Sequence, residues 1–120
     1  MVYERKFSKL YQVDVPALAV DEVFFVDLEK MPYGKYLPFN FVMVTNNSEQ
    51  RIRLIINDSV RIIILPGTSW TFDSATLPAV WSLKLQNKGT ASTNDNEVYL
   101  SFQKIPEVKA RAFKVLGGDI

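Results

Sequence analysis

Gln50-Arg51-Ile52-Arg53-Leu54-Ile55-Ile56-Asn57-Asp58-Ser59-Val60-Arg61-Ile62-Ile63-Ile64-Leu65 decides the fold. Two apolar runs flank a turn, and side chains alternate between faces along each run. A two-residue loop at Asn57-Asp58 would set Ile56 against Ser59 and Leu54 against Arg61, mixing charge into an apolar face. A three-residue loop instead pairs Ile56 with Val60, Leu54 with Ile62 and Ile52 with Ile64. That register gives one wholly aliphatic face, so it is the expected one. Asn and Asp suit the turn positions of such loops. The reverse face then carries Arg51, Arg53, Ile55, Arg61, Ile63 and Leu65. A solvated strand face is normally polar. Here aliphatics stand among arginines, a mixture typical of protein interfaces. Three readings stay open: cover by another segment of the chain such as a terminal arm, a subunit interface, or a ligand or nucleic-acid surface.

The same period of two runs outward from the hairpin. Val98, Leu100 and Phe102 alternate with Tyr99, Ser101 and Gln103. Trp81, Leu83 and Leu85 alternate with Ser82, Lys84 and Gln86, which assigns Trp81 to the core. Phe39 to Val44 reads as a strand apolar on both faces. Val20 to Leu28 is a further apolar stretch, and Tyr11, Val13 and Val15 suggest a strand ending at Pro16. Turn chemistry separates the runs at 31–34, 46–48, 65–67 and 87–89. No sustained helical stripe occurs and no internal repeat is visible. Residues 106–116 read as a strand or an extended arm. The expectation is a single all-β domain over residues 1–120. It is an antiparallel β-sandwich, jelly-roll-like, of about eight to nine strands, with extended terminal arms that include 105–120.

Composition removes whole classes of chemistry. The chain has 120 residues, no cysteine and no histidine. Disulfides, Cys/His zinc sites and triads built on histidine are therefore excluded. Lys and Arg number 14 against 13 Asp and Glu, a net charge of +1. That balance argues against binding nucleic acid by overall phosphate attraction. No secretory signal and no span long enough for a bilayer is expected, so no membrane insertion is expected either.

Few residues point to a pocket. No carboxylate pair stands out as a general acid and base. Asp21, Asp27 and Glu29 fall on strand-like segments, Asp58 and Asp95 on turns, and solvation is the favoured role for nearly all the carboxylates. Asn94-Asp95-Asn96-Glu97 groups oxygen ligands of the kind hard cations take. It lacks the spacing of a calcium loop and reads better as a turn. Tyr33, Tyr36 and Trp70 could build a stacking platform for a sugar or small ligand. Tyr33 and Tyr36 read as loop residues, and Trp70 as partly exposed at the start of a strand. Asn46-Asn47-Ser48 and Asn57-Asp58-Ser59 match the glycosylation tripeptide and read as turns.

From Phe39 to Lys104 the order of pieces resembles small β-sandwich structural proteins of virus and phage particles. A strand ends in Asn46-Asn47-Ser48, the hairpin follows, then Leu65-Pro66-Gly67-Thr68-Ser69, and a later strand ends in Asn87-Lys88-Gly89. The resemblance covers roughly half the chain and carries no site residues with it. Together with the all-β pattern, the absent catalytic vocabulary, the two-faced hairpin and the terminal arms, it points to a non-enzymatic capsid, decoration or tail component of a virion that associates with itself and with other particle proteins; no cofactor or metal is expected. Arg51, Arg53, Ile55, Arg61 and Ile63 are the candidate interface. The alternative is a cytoplasmic carbohydrate- or small-ligand-binding module that uses Tyr33, Tyr36 and Trp70.

Overall fold

The computed structural model describes residues 8–73 and 79–105. Expectations for 106–116 and for the terminal arms lie outside these residues. Eight strands form: β1 (Tyr11–Asp14), β2 (Val23–Val26), β3 (Phe41–Asn46), β4 (Ile52–Ile56), β5 (Val60–Ile64), β6 (Thr68–Phe72), β7 (Leu83–Asn87) and β8 (Val98–Gln103). A 3-10 turn at Tyr33–Tyr36 is the one piece of helix among the described residues.

The hairpin takes the three-residue loop. Ile56 pairs with Val60, Leu54 with Ile62 and Ile52 with Ile64. Asn57 and Asp58 have φ of 55° and 59°, the left-handed region that these two residue types tolerate. The Asn57 side chain also ties the hairpin to the incoming chain. Its amide donates to the Ala79 carbonyl at 2.7 Å, and its oxygen accepts from the Trp81 and Ser82 backbone N–H groups at 2.7 and 3.2 Å. Asn57→Ala leaves these groups to water or to nothing, so a loss of about 2 kcal/mol is expected in thermal or urea unfolding. An Asn57→Ala variant with wild-type stability would refute this role.

The strands pair as nested antiparallel couples: β4 with β5, β3 with β6, β2 with β7 and β1 with β8. Pairing of β3 with β8 and of β4 with β7 seals two four-stranded sheets, β1-β8-β3-β6 and β2-β7-β4-β5. One long hairpin has thus been rolled up, which is the jelly roll: eight strands in two Greek keys.

Between the sheets lies an aliphatic and aromatic core. The first sheet contributes cross-strand rows such as Tyr11, Phe102, Val42 and Phe72. The second contributes Phe24, Leu85, Leu54 and Ile62. Val42, Leu54, Leu85 and Phe102 are wholly buried. Burial of each such side chain contributes about 1.5–3 kcal/mol.

Three expectations need correction. Trp81 is not core but 55% exposed, and Val80 is buried in its place. Val80 and Phe39 exchange backbone hydrogen bonds at 2.8 and 3.0 Å, and Trp81-Ser82 then carry the chain from this bridge into β7. The period of two does not survive that link. Second, Asp21, Asp27 and Glu29 fall in the turns flanking β2, which is only four residues long. Third, the chain does contain an internal repeat, in its strand topology rather than in its sequence pattern. Advancing every strand number by four turns the order β1-β8-β3-β6 into β5-β4-β7-β2, the second sheet read backwards. A pseudo-two-fold axis therefore relates the halves.

Asn46 and Asn87 are the clearest equivalents under this axis. They end β3 and β7, and both are wholly buried. The oxygen of each side chain accepts from the backbone N–H two residues on, Ser48 at 3.0 Å and Gly89 at 2.8 Å. The amide of each donates to the carbonyl four residues on, Gln50 at 2.7 Å and Ala91 at 2.9 Å. The same amides reach across to Ile64 at 3.1 Å and Leu18 at 3.0 Å. Their backbone carbonyls accept from Gly67 and Asp21, each at 2.8 Å, and Gly67 and Asp21 both have positive φ, 71° and 66°. A turn in which the Asn side chain imitates backbone thus closes both crossovers.

Candidate functional site

Four crossovers, β1–β2, β3–β4, β5–β6 and β7–β8, gather at one end of the sandwich, and the two sheets present an outer face each. They differ in chemistry. Outward on the first sheet point Gln12 and Asp14 of β1, Tyr99 and Ser101 of β8, Met43 and Thr45 of β3, and Ser69 and Thr71 of β6. Phe41 lies on the same face, Ser101 and Thr45 are buried on it and Phe41, Met43 and Tyr99 are half-buried, so it is a hydroxyl-rich face that carries no arginine.

The second sheet is unlike it. One cross-strand row reads Phe25, Lys84, Ile55, Arg61 and the next reads Val23, Gln86, Arg53, Ile63. Opposed residues in such rows stand about 4.5–5.5 Å apart, so apolar and cationic side chains alternate in contact. Phe25 is 54% exposed and Val23 46%, far more than a core-forming residue tolerates. The Lys84 ammonium lies 6.0 Å from the Phe25 ring centroid and 2.6 Å from Asp58 Oδ1. Among the described residues no carboxylate is paired with Arg51, Arg53 or Arg61. The five candidate interface residues are therefore together: Arg53, Ile55, Arg61 and Ile63 within the face, and Arg51 at its rim beside the crossovers. No described segment of the chain covers Phe25 or Ile63, which is 37% exposed. Sequence reading placed the hairpin half of this face. It missed the β2 half, Val23 and Phe25, because only the β2–β7–β4 pairing brings them beside Ile55 and Arg53.

The aromatic candidates are not brought together. Tyr33 and Tyr36 lie at the β1 edge of the first sheet, with Tyr33 at 5.0 Å from the Tyr11 ring and 5.2 Å from Phe102. Tyr36 is 6.2 Å from Tyr11. Lys9 and Lys35 stand over the Tyr11 and Tyr36 rings at 5.3 and 5.2 Å. The Tyr11 phenol is held above its ordinary value, first by burial, then by the charge and hydrogen bond of Tyr36, and last by Tyr33. Trp70 belongs to β6, the opposite edge, where it stacks on Phe72 at 6.0 Å and is 46% exposed. Strands β8 and β3 separate the two edges, so Trp70 and the two tyrosines do not share a platform.

The oxygen-rich segment at 94–97 serves the backbone. Asp95 Oδ1 accepts from the Ala17 N–H at 2.7 Å, and Glu97 Oε1 accepts from the Asn94 N–H at 2.7 Å. Among the described residues, no cluster of carboxylates that could hold a metal ion occurs. Nor is any described helix long and apolar enough to cross a membrane.

No protein-family model matches the chain. No curated protein matches it. Among solved structures, the chain is similar to one described as a solution NMR structure of a de novo designed double-stranded beta-helix. The likeness covers 81% of this chain and 100% of that one, at 13% identity and a TM-score of 0.46.

Proposed function

We propose that this chain is a non-enzymatic structural protein that assembles with copies of itself and with other proteins of a virus or phage particle, as a capsid, decoration or tail component. The observation that carries the reading is the outer face of the second sheet. Phe25, Ile55 and Ile63 are apolar groups that water solvates poorly, and Arg53 and Arg61 sit among them without an acidic partner among the described residues. Arginine interleaved with large apolar side chains is the composition of interface cores. Jelly rolls serve in viral capsids, and also in lectins and other proteins, so fold supports the reading only by analogy. The lectin alternative asks for a stacking platform, and Tyr33, Tyr36 and Trp70 stand on opposite edges of one sheet.

Sedimentation equilibrium over a wide concentration range tests the proposal. Wild-type protein is expected to show a mass above that of one chain, rising with concentration. Arg53→Glu/Arg61→Glu is expected to weaken association by roughly tenfold or more while leaving the unfolding midpoint unchanged, because both side chains are outward. A chain that stays monomeric at millimolar concentration would overturn the reading.

A further inference from the structure

We infer that copies of this chain meet head to tail, with the arginine-bearing face of the second sheet in one copy seated on the acidic crossover end of the next. The inference rests on the self-assembly just proposed and adds which surfaces meet.

Charge argues first against the simpler arrangement. The strands of the second sheet carry Arg53, Arg61 and Lys84 and no carboxylate, and Asp58 is already held by Lys84. A two-fold contact would place this face on its own copy. Arginines would then meet arginines, with acid only in the flanking turns, where Lys88 holds Asp21, Asp27 caps the Glu29 N–H and Lys84 holds Asp58, and like charges juxtaposed in a desolvated interface repel strongly.

The complementary surface is on the same molecule. The crossover end carries Asp21, Glu22, Glu49, Asp95 and Glu97 against Arg51 and Lys88. Glu22, Glu49 and Asp95 are exposed and Glu97 is half-buried. Four of the five are tied down, and Glu49 is exposed. Glu22 Oε1 accepts from the Ala19 N–H at 2.8 Å, Asp95 and Glu97 are held by the backbone bonds given above, and Lys88 holds Asp21 at 2.8 Å. A carboxylate has room for further donors beyond one such bond, and an arginine fork fits it. Apolar groups are matched as well: Val20 is 44% exposed and Leu65 49%, and both lie in crossovers at this end. Glu49 and Glu97 belong to neighbouring crossovers, because the Asn47 N–H donates to the Glu97 carbonyl at 2.8 Å. They present acid from two loops to one approaching arginine pair.

A face and an end are different surfaces, so their contact is heterologous. It leaves one of each unused on every pair, and association continues into rings or open arrays rather than stopping at a dimer.

Light scattering on the full chain tests this with charge reversal. Arg53→Glu/Arg61→Glu on the face and Glu49→Lys/Glu97→Lys on the end are each expected to weaken association by roughly tenfold or more. An equimolar mixture of the two, and a single chain carrying all four substitutions, are each expected to recover it. Unfolding midpoints check that the variants are folded, and Glu49→Lys alone serves if the pair is not. Wild-type assembly that the end variant leaves intact, or that neither combination restores, would overturn the head-to-tail contact and leave self-assembly standing. A monomeric wild type would overturn both. Raised salt is expected to weaken the association, since screening acts on an exposed ionic contact.

Discussion

Asn46→Ala and Asn87→Ala are each expected to destabilise the protein by about 3–4 kcal/mol, against less than about 0.5 kcal/mol for Asn47→Ala one residue away. Asn47 is exposed, whereas Asn46 and Asn87 are wholly buried. Each buried amide satisfies two carbonyls and one backbone N–H; the bonds to Ile64, Ser48 and Leu18 are buried and those to Gln50, Ala91 and Gly89 half-buried. Truncation strands all three, and a buried unsatisfied group costs about 1–3 kcal/mol, less than additively for neighbours. The two values should fall in the same range, because both residues have equivalent backbone partners, with Asn46→Ala the larger loss because Asn46 Oδ1 also accepts from the Ser48 hydroxyl at 2.6 Å. Asn→Asp should be worse than Asn→Ala at neutral pH. It keeps the acceptor but aims a charged oxygen at two carbonyls, Gln50 and Ile64 for Asn46, Leu18 and Ala91 for Asn87. Urea unfolding of the variants checks the ranking. A loss below about 1.5 kcal/mol for either alanine variant would sink the argument.

Phe102→Ala is expected to lose about 4 kcal/mol, near the upper range for emptying an aromatic site in a core. Phe102 is wholly buried in β8 and meets Phe39 edge-on at 4.9 Å and Tyr33 edge-on at 5.2 Å, with Tyr11 tilted at 5.8 Å. It joins β1, β8 and the β2–β3 loop in one contact, so no single neighbour can relax into the space. Phe102→Leu should lose about 1.5 kcal/mol, because most of the volume is kept. Faster amide exchange over 31–38 in the alanine variant is the local signature. A loss under about 2 kcal/mol, or exchange unchanged in that loop, would refute this account.

The two faces of the hairpin were legible because the chain there obeys one rule without interruption. Ile52, Leu54 and Ile56 have a single partner set that keeps arginine out of the core, and β4–β5 adopts it residue for residue. Trp81 was misread for the complementary reason. Its alternation with Leu83 and Leu85 is present in the sequence, but the chain changes its support between Val80 and Leu83, and periodicity carries no information about such a change. The outward side of the second sheet was legible only in its local half. Phe25 meets Lys84 through a pairing that spans about half the chain, and no local pattern announces a partner so distant. The internal repeat stayed hidden because it lives in the strand topology. Its one trace is an asparagine at the end of a strand followed two residues later by Ser48 or Gly89, a spacing shared by countless turns. Gly89 has a reason of its own, since a Cβ there would collide with the Gln50 side chain, whose oxygen accepts from Thr90 and Ala91.

The nested pairing has a consequence for where the chain is cut. Ser8 and Lys104 are joined by a backbone hydrogen bond at 3.0 Å, so the outermost couple ends with its two strands side by side. A chain closed there and opened at Asn57-Asp58-Ser59 would run β5 to β8 and then β1 to β4. Renumbered from its new start, it is again a rolled hairpin with the same two sheets exchanging places. The topology is its own circular permutant. What distinguishes the natural order is then entropy alone: the three-residue turn at 57–59 is the cheapest loop to close, and β1 with β8 the dearest. Winding should therefore proceed outward from the hairpin that carries Arg53 and Arg61. On that order the hairpin half of the arginine-bearing face is the first part of the molecule to take shape, its β2 half follows, and the β1–β8 edge that closes the sandwich is the last.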